Sequence, residues 1–194
     1  MKAVIVAAER QHKEVENLVN YIKRLDGTEV LVIPAIDETE EYPARNNYAF
    51  HQAAKVMVEK PFFWLEPDSI PLRAGWLDLI EKEYKASRMQ FMLSSDRNPP
   101  FDIVGGIGVY GPRTLEIIPK DIDGHLQGHG WDMWVLRSVS NLLHKSPLIQ
   151  HSYGKYDSNG IATPHRFPRE RGMIRKDSVI FHRDKYQDLI KNKH

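Results

Sequence analysis

The apolar positions change their period twice within the first 35 residues, and those changes predict an architecture. Lys2 to Ala8 is a short run rich in β-branched residues, closed by the polar pair Glu9-Arg10, and reads as a buried strand. From His12 to Leu25 the spacing shifts: Val15, Leu18, Val19, Ile22 and Leu25 recur at helical intervals, and Asp26-Gly27 supplies the stop. Thr28 to Ile33 returns to strand character, and Pro34 closes it. Strand, helix, strand at this spacing is a βαβ unit, which implies a parallel pair joined by a right-handed crossover.

After the acidic stretch Asp37 to Glu41, the pattern predicts a helix over Arg45 to Val58 and a third strand over Pro61 to Leu65. The unbroken apolarity of that strand fits a central position, covered on both faces. Glu66 to Pro71 must be a turn, since two prolines bar helix and central sheet alike. Ala74 to Ser87 is an amphipathic helix, Gln90 to Ser94 a strand, and Gly105 to Tyr110 a strand with its glycines crowded at the start. Trp131 to Leu143 reads as helix, Ser146 to Gln150 as a short strand, Ser178 to Phe181 as a strand and Lys185 to Ile190 as a helix. Residues 151–175 are rich in turn formers and lack a period, which predicts a long loop of the kind that is functional or mobile. No repeat, low-complexity stretch or boundary divides the chain. The expectation is a single α/β, Rossmann-like domain with a mostly parallel central sheet flanked by helices.

Composition narrows the chemistry. Cysteine is absent, so disulfides, thiolate metal sites and cysteine nucleophiles are excluded, and any metal must be held by carboxylates and imidazoles. No apolar run reaches the roughly eighteen residues of a membrane helix. The first residues enter strand-like sequence without the basic head and apolar stretch of a secretory signal, so no membrane partner and a cytoplasmic location are expected. The net charge of +1 hides an asymmetry: residues 151–194 carry ten Lys/Arg against five Asp/Glu, while the first 150 carry 17 against 21. A basic tail fits an anionic partner, such as the phosphates of a nucleotide or of nucleic acid, although charge alone is more often a solvated surface.

In open α/β sheets ligands bind beyond the carboxyl ends of strands. Ala8-Glu9-Arg10, Asp37 and Glu66-Pro67-Asp68 all fall there. The last cluster is the most informative: two carboxylates separated by one proline, on a turn after a buried strand, can face one divalent cation. Hard oxygen ligands suit Mg²⁺ or Mn²⁺, ions that commonly bridge carboxylates to substrate phosphates. Alone, such a pair is more often a cap or surface charge. Arg45 and Asn46, at a helix start, serve either as caps or as donor contacts. Asp132, also at a helix start, is either a cap that suits the helix dipole or a general base. Gly105, Gly106 and Gly108 allow a close approach of the main chain to a ligand, or a bulge.

The stretch Phe62-Phe63-Trp64-Leu65-Glu66-Pro67-Asp68-Ser69-Ile70-Pro71-Leu72, followed by Gly75-Trp76-Leu77, resembles the DxD region of GT-A glycosyltransferases in an E-x-D form. The resemblance extends along most of the chain and implies a metal-dependent hexosyl- or pentosyltransferase that uses a nucleotide-sugar donor, foremost a UDP-sugar. Residues 1–100 would form the nucleotide-sugar and metal half, and 101–194 the acceptor half with the basic loop. The implied metal ligands for Mn²⁺ or Mg²⁺ are Asp68 and His182, the latter from Phe181-His182-Arg183-Asp184-Lys185, with His151 competing for the histidine place. Because the first acid is Glu66 and not aspartate, Asp68 is the surer ligand. Ala8, Glu9, Asp37, Arg45, Glu66, Gly106 and Lys185 are the implied donor contacts, Asp132 the catalytic base, and Trp131 a floor for the sugar. The short chain and basic tail are similar to compact phage and bacterial enzymes, which implies an acceptor such as hydroxymethylpyrimidine in DNA, held by Arg169 and Arg171, with host cytoplasm as the location if phage-encoded. A saccharide or protein hydroxyl is the alternative acceptor. A nucleotidyltransferase would carry a Gly-rich basic loop after the first strand, where this chain has Ala7-Ala8-Glu9-Arg10. A purely nucleic-acid-binding module would leave the E-x-D turn and His182 without a role.

Overall fold

The computed structural model describes residues 1–35, 44–96, 103–119, 130–151, 174–182, 187 and 190. Strands β1 (Lys2–Ala7) and β2 (Val30–Pro34) run parallel, Ala3 opposite Val30 and Ala7 opposite Pro34, with α1 (His12–Asp26) between them in the chain. The helix buries Val15, Leu18, Tyr21 and Ile22. It ends at Gly27, whose φ of 77° is the left-handed conformation that glycine adopts without strain, and whose N–H bonds to the Lys23 carbonyl. Asp26 accepts from the backbone N–H groups of Thr28 and Gly75, which ties the end of α1 to the start of α3 (Trp76–Ser87).

β3 (Phe62–Trp64) lies beside β1, parallel to it and buried throughout. Successive strand side chains point to opposite faces. Phe62 and Trp64 pack against Phe50 of α2 (Ala44–Val56), whereas Phe63 meets Trp76 of α3 edge to face. Helices therefore cover both faces of the sheet here, which is why the segment is apolar at every position.

On its other side β3 pairs antiparallel with β6 (Ile103–Tyr110). β5 (Phe91–Asp96), β7 (Leu143–His151), β8 (Ile180–His182) and β4 (Ser69–Pro71) complete the order β2-β1-β3-β6-β5-β7-β8-β4. Four of these seven described pairings are parallel and three antiparallel. The result is an α/β fold with one mixed, mostly parallel sheet between helices. Among the described residues no helix is long and apolar enough to cross a membrane.

Three elements depart from the sequence pattern. The helix expected to reach Leu143 ends at Ser138: α5 (Trp131–Ser138) gives way to a 3-10 turn over Ser140–Leu142, and Leu143 opens β7. Pairing of Leu143 with Phe91 on a buried strand outweighs helical spacing there. Ser69–Pro71, expected within a turn, form β4, and its proline is tolerated because β4 is an edge strand. A single helical turn, α4 (Thr114–Ile117), is too short for periodicity to reveal. The loop expected over 151–175 and the helix over Lys185–Ile190 lie outside the described residues, apart from His151, Ile174, Arg175, Gln187 and Ile190.

Candidate active site

The site begins where β3 ends. The Leu65 N–H bonds to the Val4 carbonyl at 2.8 Å, so sheet pairing carries the chain to the doorstep of Glu66. The turn that follows is closed from both ends: Ser69 N–H donates to the Glu66 carbonyl at 2.9 Å, and Glu66 N–H to Ser69 Oγ at 3.2 Å. Pro67 stiffens it further. β4 then pairs antiparallel with β8, Ser69 opposite His182. That register brings a residue from far along the chain onto the turn. His182 Nε2 stands 3.1 Å from Glu66 Oε2 and 3.2 Å from Asp68 Oδ1.

One ligand atom from each of Glu66, Asp68 and His182 lies within 4.8 Å of the others. Adjacent ligands on an octahedral ion with bonds of about 2.1 Å stand about 3.0 Å apart. The imidazole nitrogen sits at about that separation from both oxygens, so the residues present fit a small divalent cation. Two carboxylates and an imidazole suit Mg²⁺ or Mn²⁺ among the hard and borderline ions. Burial pulls the His182 imidazole down, but the charges and hydrogen bonds of Asp68 and Glu66 outweigh it and raise the group to about 9. The pair of carboxylates thus attracts positive charge strongly. His151 is not part of this cluster: it stands behind His182, its Nδ1 2.8 Å from the Nδ1 of His182.

A cavity of about 390 Å³ opens beyond the carboxyl ends of β1, β2 and β3, under α2. Val6, Ala8, Ala35, Ala49, Trp64 and Leu65 give it apolar walls, while Gln11, Asn46, His51, Gln52 and Lys55 add polar groups. Its volume lies within the usual range of small-molecule sites, about 300–1,000 Å³. A second cavity of about 340 Å³ holds Arg10, Glu14, Asp68 and Gln187, and shares Gln11, Glu66 and Pro67 with the first. The acidic turn is therefore the sill between two hollows.

Asp132 lies in the first turn of α5. Burial raises its carboxyl to about 6, with Glu66 adding to the rise, against the Met133 N–H, which donates to Oδ1 at 2.9 Å, and the charge of His182. The α5 terminus has no side-chain cap at Gly130; Asn47 of α2 supplies one instead, accepting the Trp131 N–H at 3.1 Å. Trp131 is 3% exposed, stacks on Phe50 at 4.6 Å and donates from Nε1 to Tyr110 Oη at 2.6 Å. Tyr110 in turn donates to the Gly106 carbonyl. A Cβ at Gly106 would lie 3.0 Å from the Trp131 ring and 3.6 Å from Glu66 Oε1, so this glycine lets the indole and the acidic turn approach the same stretch of β6.

Of the residues singled out by sequence, the structure brings together Glu66, Asp68 and His182, sets Ala8 in the wall of the cavity, and places Gly106, Trp131 and Asp132 on the side of Glu66 facing α5. Glu9 is exposed, and its neighbours Ala8, Arg10 and Gln11 line the cavities. Asp37, Arg169, Arg171 and Lys185 lie outside the described residues, as does the side chain of Arg45. Sequence reasoning passed over Gln187, which donates to the carbonyls of Glu14 and Pro67 and so braces the acidic turn against α1. A lone glutamine carries no pattern that would have revealed it. Gln11 and Asn47 were passed over too, since their value comes from tertiary placement.

No family model matches the chain, and no curated protein matches it. A solved structure does: a glycosyltransferase involved in glycosylation of the major capsid of PBCV-1, 14% identical, superposes with a TM-score of 0.53 over 94% of this chain and 93% of its own. The two share a fold over nearly their whole lengths.

Proposed function

We propose that the protein is a metal-dependent glycosyltransferase that moves a hexose or pentose from a nucleotide sugar, a UDP-sugar foremost, to a hydroxyl group. The observation that carries this reading is the position of Glu66, which lines a nucleoside-sized cavity and also belongs to the carboxylate–imidazole cluster. A donor laid along that crevice has its base and ribose between the apolar walls, and its diphosphate beside Glu66, Asp68 and His182. The fold shared with a glycosyltransferase supports the same reading.

Glu66, Asp68 and His182 would hold Mn²⁺ or Mg²⁺, which when bound supplies fixed positive charge for the diphosphate oxygens. Arg10, lining the smaller cavity, adds a cation from the protein itself. Lys185 is proposed for the same task. Asp132 takes the proton of the acceptor hydroxyl as its oxygen bonds to the anomeric carbon and the bond to the diphosphate breaks, a displacement that inverts that carbon. A carboxyl poised near 6 is ionised at neutral pH yet basic enough to share that proton. Residues 1–100 supply the cavity and both acids, and 101–194 the base and His182, so the metal cluster straddles the proposed halves.

Thermal melting with nucleoside diphosphates tests this directly. UDP with Mn²⁺ should raise Tm, and EDTA should reduce the gain to the smaller part that the cavity alone supplies. A protein whose melting no nucleoside diphosphate shifts, with or without metal, is not a nucleotide-sugar enzyme. The acceptor proposed from the basic tail is hydroxymethylpyrimidine in DNA. Phosphate contacts through Arg169 and Arg171 should then make binding fall steeply with salt, and failure of any nucleotide sugar to label hydroxymethylated DNA would point to a saccharide or protein hydroxyl.

A further inference from the structure

The proposed reaction leaves His151 without a task, although its ring is buried against His182. β7 and β8 run parallel with His151 opposite His182. The two residues are 3% and 2% exposed, their rings are 4.3 Å apart and perpendicular, and the Nδ1 atoms are separated by 2.8 Å. Two ring nitrogens at that distance need one proton between them: one donates and the other accepts. The far side of His182 decides which. Its Nε2 faces Glu66 and Asp68, and a nitrogen that ligates an ion must offer its lone pair, so the neutral ring carries its proton on Nδ1. His151 Nδ1 is then the acceptor.

We propose that His151 is a positioning residue of the metal centre: by accepting the Nδ1 proton of His182, it fixes the tautomer and orientation that turn Nε2 toward the ion held by Glu66 and Asp68. This rests on the reading of those three residues as a metal site.

A further strand, β6, separated from β7 by β5 in the sheet order, independently shows that this ring has a place made for it. A Cβ at Gly105 of β6 would lie 1.8 Å from His151 Nδ1 and 2.6 Å from Cε1. The main chain there is pinned by Ser94, whose Oγ accepts the Gly105 N–H at 2.9 Å and donates to the Gly105 carbonyl at 3.3 Å. Drift of the strand cannot make the room; the absence of a side chain does. Gly105, which the sequence left as either a ligand approach or a bulge, is a close approach to a histidine.

Mn²⁺ binding to the purified chain, followed by the electron paramagnetic resonance of the free ion and without any donor, tests the role. His151→Leu keeps an apolar filling but loses the acceptor, and should weaken Mn²⁺ binding by about 10–100-fold, the scale for removing a partner of a metal-bound histidine. His151→Asn places Oδ1 near the position of Nδ1 and should restore most of the affinity. Gly105→Ala keeps the imidazole but displaces it, and should weaken binding as the leucine variant does. A folded leucine variant with wild-type affinity, or an asparagine variant as weak as leucine, overturns the proposal. Should the leucine variant not fold, the ¹⁵N shifts of His182 in the Mg²⁺-loaded wild type decide: Nδ1–H supports the role, and Nε2–H overturns it. A wild type that takes up no Mn²⁺ overturns the metal reading and this role together, whereas wild-type binding with an unaffected leucine variant overturns the role of His151 alone.

Discussion

Every described residue lining the 390 Å³ cavity falls between positions 6 and 67, whereas Glu66 and His182 meet across 116 residues of chain. The cavity is made by one βαβ unit, the helix α2 and the strand after it, so its walls follow from loops at the carboxyl ends of parallel strands. The carboxylate–imidazole cluster is made by a three-residue strand pairing with another three-residue strand at the edge of the sheet. The cavity proposed for the donor is thus a local product of the fold, while the charged centre depends on register. A slip of one residue in the β4–β8 pairing would turn His182 to the opposite face and remove it from the two acids.

That contrast yields a ranked set of expectations. The largest effect belongs to Asp132→Asn, which should cut transfer by about 10²–10⁴-fold while donor affinity is kept. An asparagine enzyme with near wild-type turnover and an earlier melt would return Asp132 to the helix-cap role. For the wild type, turnover should fall as pH drops through about 6, because the carboxyl that burial has raised becomes protonated and stops accepting; a flat profile from pH 5 to 8 would remove Asp132 as the base. Next comes Asp68→Ala, which takes away a ligand and should lower Mn²⁺ affinity beyond the roughly 100-fold reserved for outer partners. UDP binding measured in EDTA should be unchanged in that variant, since the cavity is untouched. The smallest effect is on the local side. Ala49→Phe projects a ring from α2 into the cavity and should weaken UDP on the order of tenfold, about 1.4 kcal/mol, with metal present or absent. If Asp68→Ala and Ala49→Phe produce the same metal-dependent loss, the separation between the two regions does not hold.

The same contrast explains what was legible in the sequence. Val15, Leu18 and Ile22 announced α1, and Gly27 its end, because amphipathic spacing and a left-handed cap are local signals. Glu66 and Asp68 were visible as a pair after an apolar strand for the same reason. His182 was reached only through a resemblance, and the relation of His151 to it was left open, because strand register is not written in either segment. β4 was hidden by its proline, Pro71, which an edge strand accepts and a central one does not. α5 was drawn too long because Leu142 and Leu143 continue a helical spacing that the sheet overrides. Gln187 gave no signal at all; its buried amide matters only because α1 and Pro67 happen to flank it.

The pairing of Ser69 with His182 also sets an order in time. Closing a loop of this length costs chain entropy before any contact repays it, so such contacts form late compared with those of neighbouring segments. Domains are built from the N-terminal side during synthesis. A nascent chain that has emerged past Asp68 already possesses every described residue of the larger cavity, but its two acidic residues stand without their imidazole until residue 182 has left the ribosome. Ribosome-stalled chains carrying a C-terminal extension long enough to bring β8 out of the exit tunnel should therefore differ from shorter ones that hold it inside, in metal uptake far more than in nucleoside binding.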